Sequence, residues 1–391
     1  MKKIAVLTGT RAEYGLLKPL IQLLSEEMDV KLQLIVTGMH LSPEFGLTYQ
    51  EIRNDGFIIE DKVEMLMSSD TEVGIAKSIG IGLIGFADCF ERLKPDIIVI
   101  LGDRFEMLAA ATAALVARIP IAHLHGGELT EGVIDEAIRH SITKMSHLHF
   151  VSTEEYRRRV IQLGEMPNRV YNVGALGVEN VKNVLLYELE ELEKEIGIKF
   201  TAPVALVTFH PVTLEGNDIE NQLKELMHAL DHFKYMKIIF TKANADTEGR
   251  LINHVIEKYV CDNQERCVVH SSLGQRKYLS ALKHCDVVIG NSSSGIIEAP
   301  SFHVPTVNIG DRQRGRVHGL SVCDCGCSEN EIIEAIRWAL DKKTVDCIRD
   351  EMNPYEGENT VVDIVNILLD QLEEGIDIKK RFYDIRVKEC E

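Results

Sequence analysis

The sequence predicts an α/β chain of two doubly wound domains. Two features carry this. Short, continuously apolar runs alternate with longer amphipathic stretches, and the alternation pauses once, near residues 175–200, before resuming. Parallel strands covered by helices on both faces need continuous rather than alternating apolar runs. Strand and helix in regular alternation mark βαβ units.

In the first half, strands are expected at 3–8 (KIAVLT), 32–37 (LQLIVT), 96–101 (DIIVIL), 120–124 (PIAHL), 148–152 (LHFVS) and 170–174 (VYNVG). Amphipathic stretches such as YGLLKPLIQLLSEE and FEMLAAATAALVAR are the helices between them. A charged helical stretch, NVKNVLLYELEELEKEIGIKFTAP, then leads to Pro203. The second series has strands at 204–210 (VALVTFH), 237–243 (KIIFTKA), 267–270 (CVVH), 286–291 (DVVIGN) and 306–310 (TVNIG). The domains are therefore placed at 1–177 and 178–370, with a tail over 371–391 free to return to the first domain. Ligands of open parallel sheets bind beyond the carboxyl ends of the strands. Chemistry is expected in a central cleft, at the residues that follow each strand.

Composition narrows the partners. A chain of 391 residues with 45% apolar content can bury two cores. A net charge of −18 disfavours nucleic acid or an anionic membrane as partner. It still permits a phosphorylated small molecule held by a few local donors. The apolar run behind Lys2 and Lys3 ends after Leu7 with no cleavage-like pattern, so it reads as a buried strand, not a signal peptide. No apolar segment approaches the ~18–20 residues of a membrane span. The nine cysteines are scattered and odd in number, as free thiols in a reducing cytoplasm would be. The C-x-C-x-C cluster of Cys323, Cys325 and Cys327 has no second ligand pair nearby and reads as free thiols, not a metal site.

The strand ends hold the candidate site. After the strand at 286–291 comes NSSSGIIE. Ser292, Ser293 and Ser294 lie between Gly290 and Gly295, at an expected helix start that suits phosphate. One serine would serve as an N-cap; three exceed that need. Glu298, one turn on, is placed to accept from ribose hydroxyls. His210 leaves the strand at 204–210, and Arg312, Arg314 and Arg316 crowd behind the strand at 306–310. In the first half, TGTRAEYG offers Gly9, Arg11 and a helix start near Tyr14, with Arg11 suited to a diphosphate. LGDRFE presents Asp103 and Arg104, and HLHGGELTEGVIDEAIRHSI gathers His123, His125, Glu128, Asp135 and His140. Such acids and imidazoles suit proton transfer. No metal-ligand spacing and no G-x-G-x-x-G fingerprint is present, so no metal and no nicotinamide cofactor is expected.

TGTRAEYG, VTGMH, GDRFE, HLHGGE, DEAIRHSITK, HPVT, GNSSSGIIE and NIGDRQRGR occur in this order over nearly the whole chain. Together they resemble the hydrolysing UDP-N-acetylglucosamine 2-epimerases of bacterial sialic acid and legionaminic acid pathways. The resemblance implies a glycosyltransferase-B-like fold of two Rossmann-like domains, a homodimer or homotetramer, and a cytoplasmic enzyme without cofactor. The implied reaction converts UDP-GlcNAc and water to N-acetylmannosamine and UDP, by elimination to 2-acetamidoglucal and hydration. By motif, Arg11, His210, Ser292, Ser293, Glu298 and Arg312 would hold UDP. Asp103, Asp135, His125 and His40 would form the catalytic set. His125 stands where many relatives have Glu, which leaves the proton-abstracting group open. Stretches such as LSPEFGLTYQEI and FTKANAD also resemble the related epimerases of UDP-N,N'-diacetylbacillosamine. A glycosyltransferase or a non-catalytic nucleotide-sugar sensor is the remaining alternative; the chain shows no separate acceptor feature for the former, and the retained Asp103 and Asp135 speak against the latter.

Overall fold

The computed structural model describes residues 1–69, 71–130, 133–210, 219–243 and 249–385. The HPVT and FTKANAD stretches run in part outside the described residues. The chain divides into two compact units: Met1–Glu128 with Asp135–Glu179 and the chain from Gly357, and Leu129–Ile134 with Asn180–Glu356.

The first unit is built on a parallel sheet of β1 (Lys2–Thr8), β2 (Val30–Thr37), β3 (Ile59–Val63), β4 (Ile97–Leu101), β5 (Ile121–Leu124), β6 (Leu148–Val151) and β7 (Val170–Asn172). Their order is β3-β2-β1-β4-β5-β6-β7. Strand β1 shows why its run is continuously apolar. Ile4 and Val6 join one buried cluster, with Leu17, Leu20 and Leu368. Ala5 and Leu7 join another, with Phe86, Met107 and Ala110. Both faces are covered, as doubly wound sheets require. The order reverses between β1 and β4, the point at which open parallel sheets place ligands, beyond the carboxyl ends of the strands.

Two features differ from the sequence expectations. Helix Thr360–Glu374 belongs with the first unit, although the sequence places residues up to 370 in the second. Its stripe of Val361, Ile364, Val365, Leu368 and Leu372 lies at helical spacing and completes the core of the first unit. In addition, helix Glu72–Leu93 has 22 residues and a mean hydropathy of 1.5 over its most apolar window, so by length and composition it could cross a membrane. Its interspersed glycines hide this in the sequence. A Cβ on Gly85 would lie 2.7 Å from a Val63 methyl, so the small residue lets the helix approach β3. Phe86, Cys89 and Phe90 of this helix are buried in the first unit.

The second unit repeats the scheme. β8 (Val204–Thr208), β9 (Lys237–Thr241), β10 (Cys267–His270), β11 (Val287–Gly290), β12 (Thr306–Ile309) and β13 (Val322–Cys325) form a parallel sheet in the order β10-β9-β8-β11-β12-β13. Here the reversal falls between β8 and β11, whose exits carry His210 and Asn291–Ser294. The α/β, doubly wound class expected from the sequence is therefore the class of both units.

Candidate active site

In the first unit, the exit of β1 turns at once into helix Arg11–Glu26, which starts three residues earlier than expected at Tyr14. Thr10 and Glu13 form a capping box: Gly9 N–H and Thr10 N–H both donate to Glu13 Oε2, at 2.7 and 3.0 Å. Arg11 lies in the first turn and pairs with Glu51 at 2.8 Å. Glu13 is buried, and burial pushes its carboxyl up to about 7, with Arg104 opposing and Glu106 reinforcing the shift. Arg104 Nε lies 3.2 Å from Glu106 Oε2. His40, behind β2, is fully buried; its Nε2 is 3.0 Å from Thr8 Oγ1 and its Nδ1 2.8 Å from Thr48 Oγ1. Burial holds its pKa down, to about 4, so the ring is neutral at pH 7.

Behind β4 and β5 lies a linked array of charges. Arg139, on helix Asp135–Met145, donates to Asp103 Oδ2 and, at 3.2 Å, to Glu128 Oε2. Glu128 Oε1 accepts from Ser152 Oγ at 2.9 Å and lies 3.1 Å from His125 Nδ1. His125 Nε2 in turn accepts the Leu176 N–H at 3.3 Å. A backbone donor at Nε2 puts the ring proton on Nδ1, directed at Glu128. Both nitrogens of His125 are thus engaged within the protein. His125 also adopts φ 62, an uncommon conformation for a non-glycine residue, at the sharp exit from β5. Asp135 opens the helix that carries Arg139, one turn before it. The array therefore joins Asp103 to His125 through Glu128 and Arg139. Sequence reasoning gives Arg139 no role, because its significance lies in pairing with two carboxylates from different loops.

In the second unit, Asn291 is the hub, also without a role in the sequence reading. Gly290, at φ 133, has no room for a Cβ against Thr208 O, so only glycine lets β11 end this close to β8. Asn291 is fully buried. Its Oδ1 accepts His210 N–H at 2.7 Å and its Nδ2 donates to His210 O at 2.8 Å. Its own carbonyl accepts from Arg312 Nη1 at 3.0 Å and Gln313 Nε2 at 2.8 Å. One residue thus brings His210, Arg312 and the serine turn together. The three arginines of the expected cluster diverge: Arg314 pairs with Asp311 at 3.6 Å, and Arg316 donates to Leu129 O at 2.7 Å.

The serine turn corrects one expectation. The helix behind it, Ser294–Ile297, has four residues and passes into a 3-10 turn, Ala299–Phe302. Too short for an appreciable helix dipole, it leaves local N–H groups and hydroxyls as the donors. Ser293 is its N-cap yet makes no side-chain capping bond, and Glu298 is its C-cap rather than a first-turn acid. Burial pushes the phenol of Tyr278 up, while hydrogen bonds to Ser294 and Ser292 oppose the shift.

The family model for UDP-N-acetylglucosamine 2-epimerase matches residues 22–369. A Campylobacter jejuni protein named GDP/UDP-N,N'-diacetylbacillosamine 2-epimerase (hydrolyzing) is 46% identical over 323 residues, covering 83% of this chain and 84% of its own. Polysialic acid biosynthesis protein P7 of Escherichia coli is 41% identical over 386 residues, covering 98% of each chain. The crystal structure of UDP-GlcNAc 2-epimerase from Neisseria meningitidis bound to UDP-GlcNAc is similar with a TM-score of 0.78 at 20% identity, over 95% of this chain and 100% of that one. That likeness shows the fold, the glycosyltransferase-B-like type. With the family model matched over most of its length, the chain belongs to the UDP-N-acetylglucosamine 2-epimerase family.

Proposed function

We propose that the chain is a hydrolysing 2-epimerase that converts UDP-GlcNAc and water to N-acetylmannosamine and UDP, in the cytoplasm and for sialic acid synthesis. The observation that carries the chemistry is the Asp103–Arg139–Glu128 array at the strand ends of the first unit. The C2 proton of the sugar is not acidified by a carbonyl, so its removal must be coupled to loss of UDP from C1. Arg11, Arg312 and the donors of Ser292 and Ser293 stabilise the charge growing on the leaving diphosphate. His210 and Glu298 complete UDP binding, Glu298 as the acceptor for ribose hydroxyls. Asp103, oriented by Arg139, and Asp135 are the carboxylates assigned to the two proton steps. His40 and His125 have both ring nitrogens in hydrogen-bond contact with the protein, which favours positioning over proton abstraction. After elimination, water adds at C1 and a proton returns to C2 from the opposite face.

A second substrate, UDP-N,N'-diacetylbacillosamine, is favoured by the name of the 46% identical relative. The homodimer or homotetramer implied by the resemblance is supported by exposed Val73, Ile81 and Ile84 on helix Glu72–Leu93 and Val116 on the helix packed beside it. The deciding experiment incubates the enzyme with each UDP-sugar in heavy water and identifies the free sugar by NMR. N-acetylmannosamine carrying deuterium at C2 is expected, with turnover that persists in EDTA. Hydrogen retained at C2 would exclude an elimination with solvent exchange, and release of only the bacillosamine-derived sugar would reassign the substrate.

A further inference from the structure

We infer that the C-terminal segment over residues 377–385 is a strap that positions the helix bearing Arg139, and that Lys380 is its anchoring residue. The last carbonyls of any helix lack intrahelical partners. At the end of helix Asp135–Met145 they are met by the ammonium of Lys380. It donates to Lys144 O at 2.7 Å and to Ser146 O, and lies 3.5 Å from Thr143 O. A cation at this end is also favoured by the helix dipole. The same ammonium lies 2.8 Å from Glu165 Oε2, a buried carboxylate that further holds His149 Nε2 at 3.0 Å and Lys144 Nζ at 2.6 Å.

Two more contacts fix the strap. Tyr383 N–H donates to Gly164 O at 2.9 Å. The Phe382 ring occupies the space that a Cβ at Gly164 would need, and lies 5.1 Å from the Lys144 ammonium. Phe382 and Ile385 nonetheless stay largely exposed, at 65% and 50%, so the segment contributes little to the core. What it supplies is charge and shape at one helix end.

That end communicates with Asp103 by two routes. Arg139 lies one turn before Thr143 and pairs with Asp103 directly. Thr143 Oγ1 is 3.2 Å from His123 Nδ1, and His123 Nε2 is 2.7 Å from Gly102 O, next to Asp103. A helix end released from Lys380 would therefore loosen the carboxylate from both sides. Small displacements of a reacting group cost large factors in rate.

The inference rests on the proposed proton-transfer role of Asp103, and its test includes a readout independent of turnover. In Lys380→Met, which keeps the aliphatic stem, kcat should fall by about 10-fold while KM and the Kd for UDP stay within about 2-fold. Amide hydrogen exchange across Asp135–Met145 should accelerate. Lys380→Arg, which keeps the charge and donors, should restore both the rate and the protection. A chain ending at Gly375 should behave like Lys380→Met. Wild-type kcat or wild-type protection of this helix in Lys380→Met, or a loss in Lys380→Arg as large as in Lys380→Met, would overturn the strap. Failure of the wild-type enzyme to turn over either UDP-sugar would instead refute the proposed function, while the exchange measurement would still decide the strap.

Discussion

The two units place opposite kinds of chemistry at equivalent points of the same topology. Behind the reversal of the first sheet stand charges: Asp103, Arg139 and Glu128, with Arg104, Glu106 and Glu13 close by. Behind the reversal of the second stand the amides Asn291 and Gln313 and the hydroxyls of the serine turn, with Arg312 joined to them through a carbonyl. Buried charges are costly to desolvate and are tolerated where they are paired. Neutral donors are cheaper to bury and suit a ligand that brings its own charge. The difference supports the proposal of proton chemistry in the first unit and of diphosphate donors in the second, and it can be broken by mutants that separate turnover from affinity.

The largest separation is expected at Asp103. Asp103→Asn is nearly isosteric and should lower turnover by roughly the 10²–10⁴ typical of losing a general acid or base. UDP affinity by calorimetry should change little. A variant with near-normal turnover would remove Asp103 from the chemistry and, with it, the assignment of the first unit.

Asn291→Ala should produce the converse. It leaves His210 N–H and His210 O without their buried partner, at about 1–3 kcal/mol each. Urea unfolding should show the loss, and UDP affinity should fall with it, because His210 loses its side-chain tie to the residue whose main-chain carbonyl still holds Arg312. Unchanged stability would mean that another group takes over the buried amide's bonds.

The same contrast explains what is legible in the sequence. Strands buried on both faces appear as apolar runs, so β1, β2, β4 and β8 can be found directly. The edge strands β3 and β13 escape that search: IEDKV and VCDC have solvent or a single neighbour on one side and need no continuous apolar run. Residues that follow strands are legible as candidates because topology alone directs ligands there. Partnerships are not. His125 stands in the candidate catalytic set with the proton-abstracting group open, and the engagement of both its nitrogens shows only in the fold; Arg139 and Asn291 gain their importance from contacts with residues distant in sequence.

Ser293→Ala sharpens the comparison within the second unit. Because the Ser293 side chain makes no capping bond, its removal should leave stability unchanged within about 0.5 kcal/mol. If the hydroxyl meets the diphosphate, UDP affinity should weaken by about 1–3 kcal/mol. An unfolding midpoint that shifts while UDP affinity does not would make this serine structural and remove it from the site.

The smallest effect tests the charged side of the comparison through pH. Burial raises Glu13 from 4.5 to about 7, against Arg104 and with Glu106. Its folded-state pKa lies above the unfolded value, so the folded chain binds the proton more tightly. The stabilisation is complete below about pH 4.5 and is lost as pH rises through about 7. Between pH 6 and pH 8 the remaining loss is about 1 kcal/mol, since a tenfold difference in proton affinity corresponds to about 1.4 kcal/mol. Glu165, held down to about 2, titrates below that window in both states, while His40, held down to about 4 in the fold, titrates there only in the unfolded chain and does so equally in wild type and variant. Glu13→Gln keeps an oxygen for the Gly9 and Thr10 N–H groups and removes the titration. Unfolding midpoints should therefore fall from pH 6 to pH 8 by about 2 °C more in the wild type than in the variant. Equal falls would show that Glu13 is ionised across this range, and that the first unit carries one more buried charge than its geometry suggests.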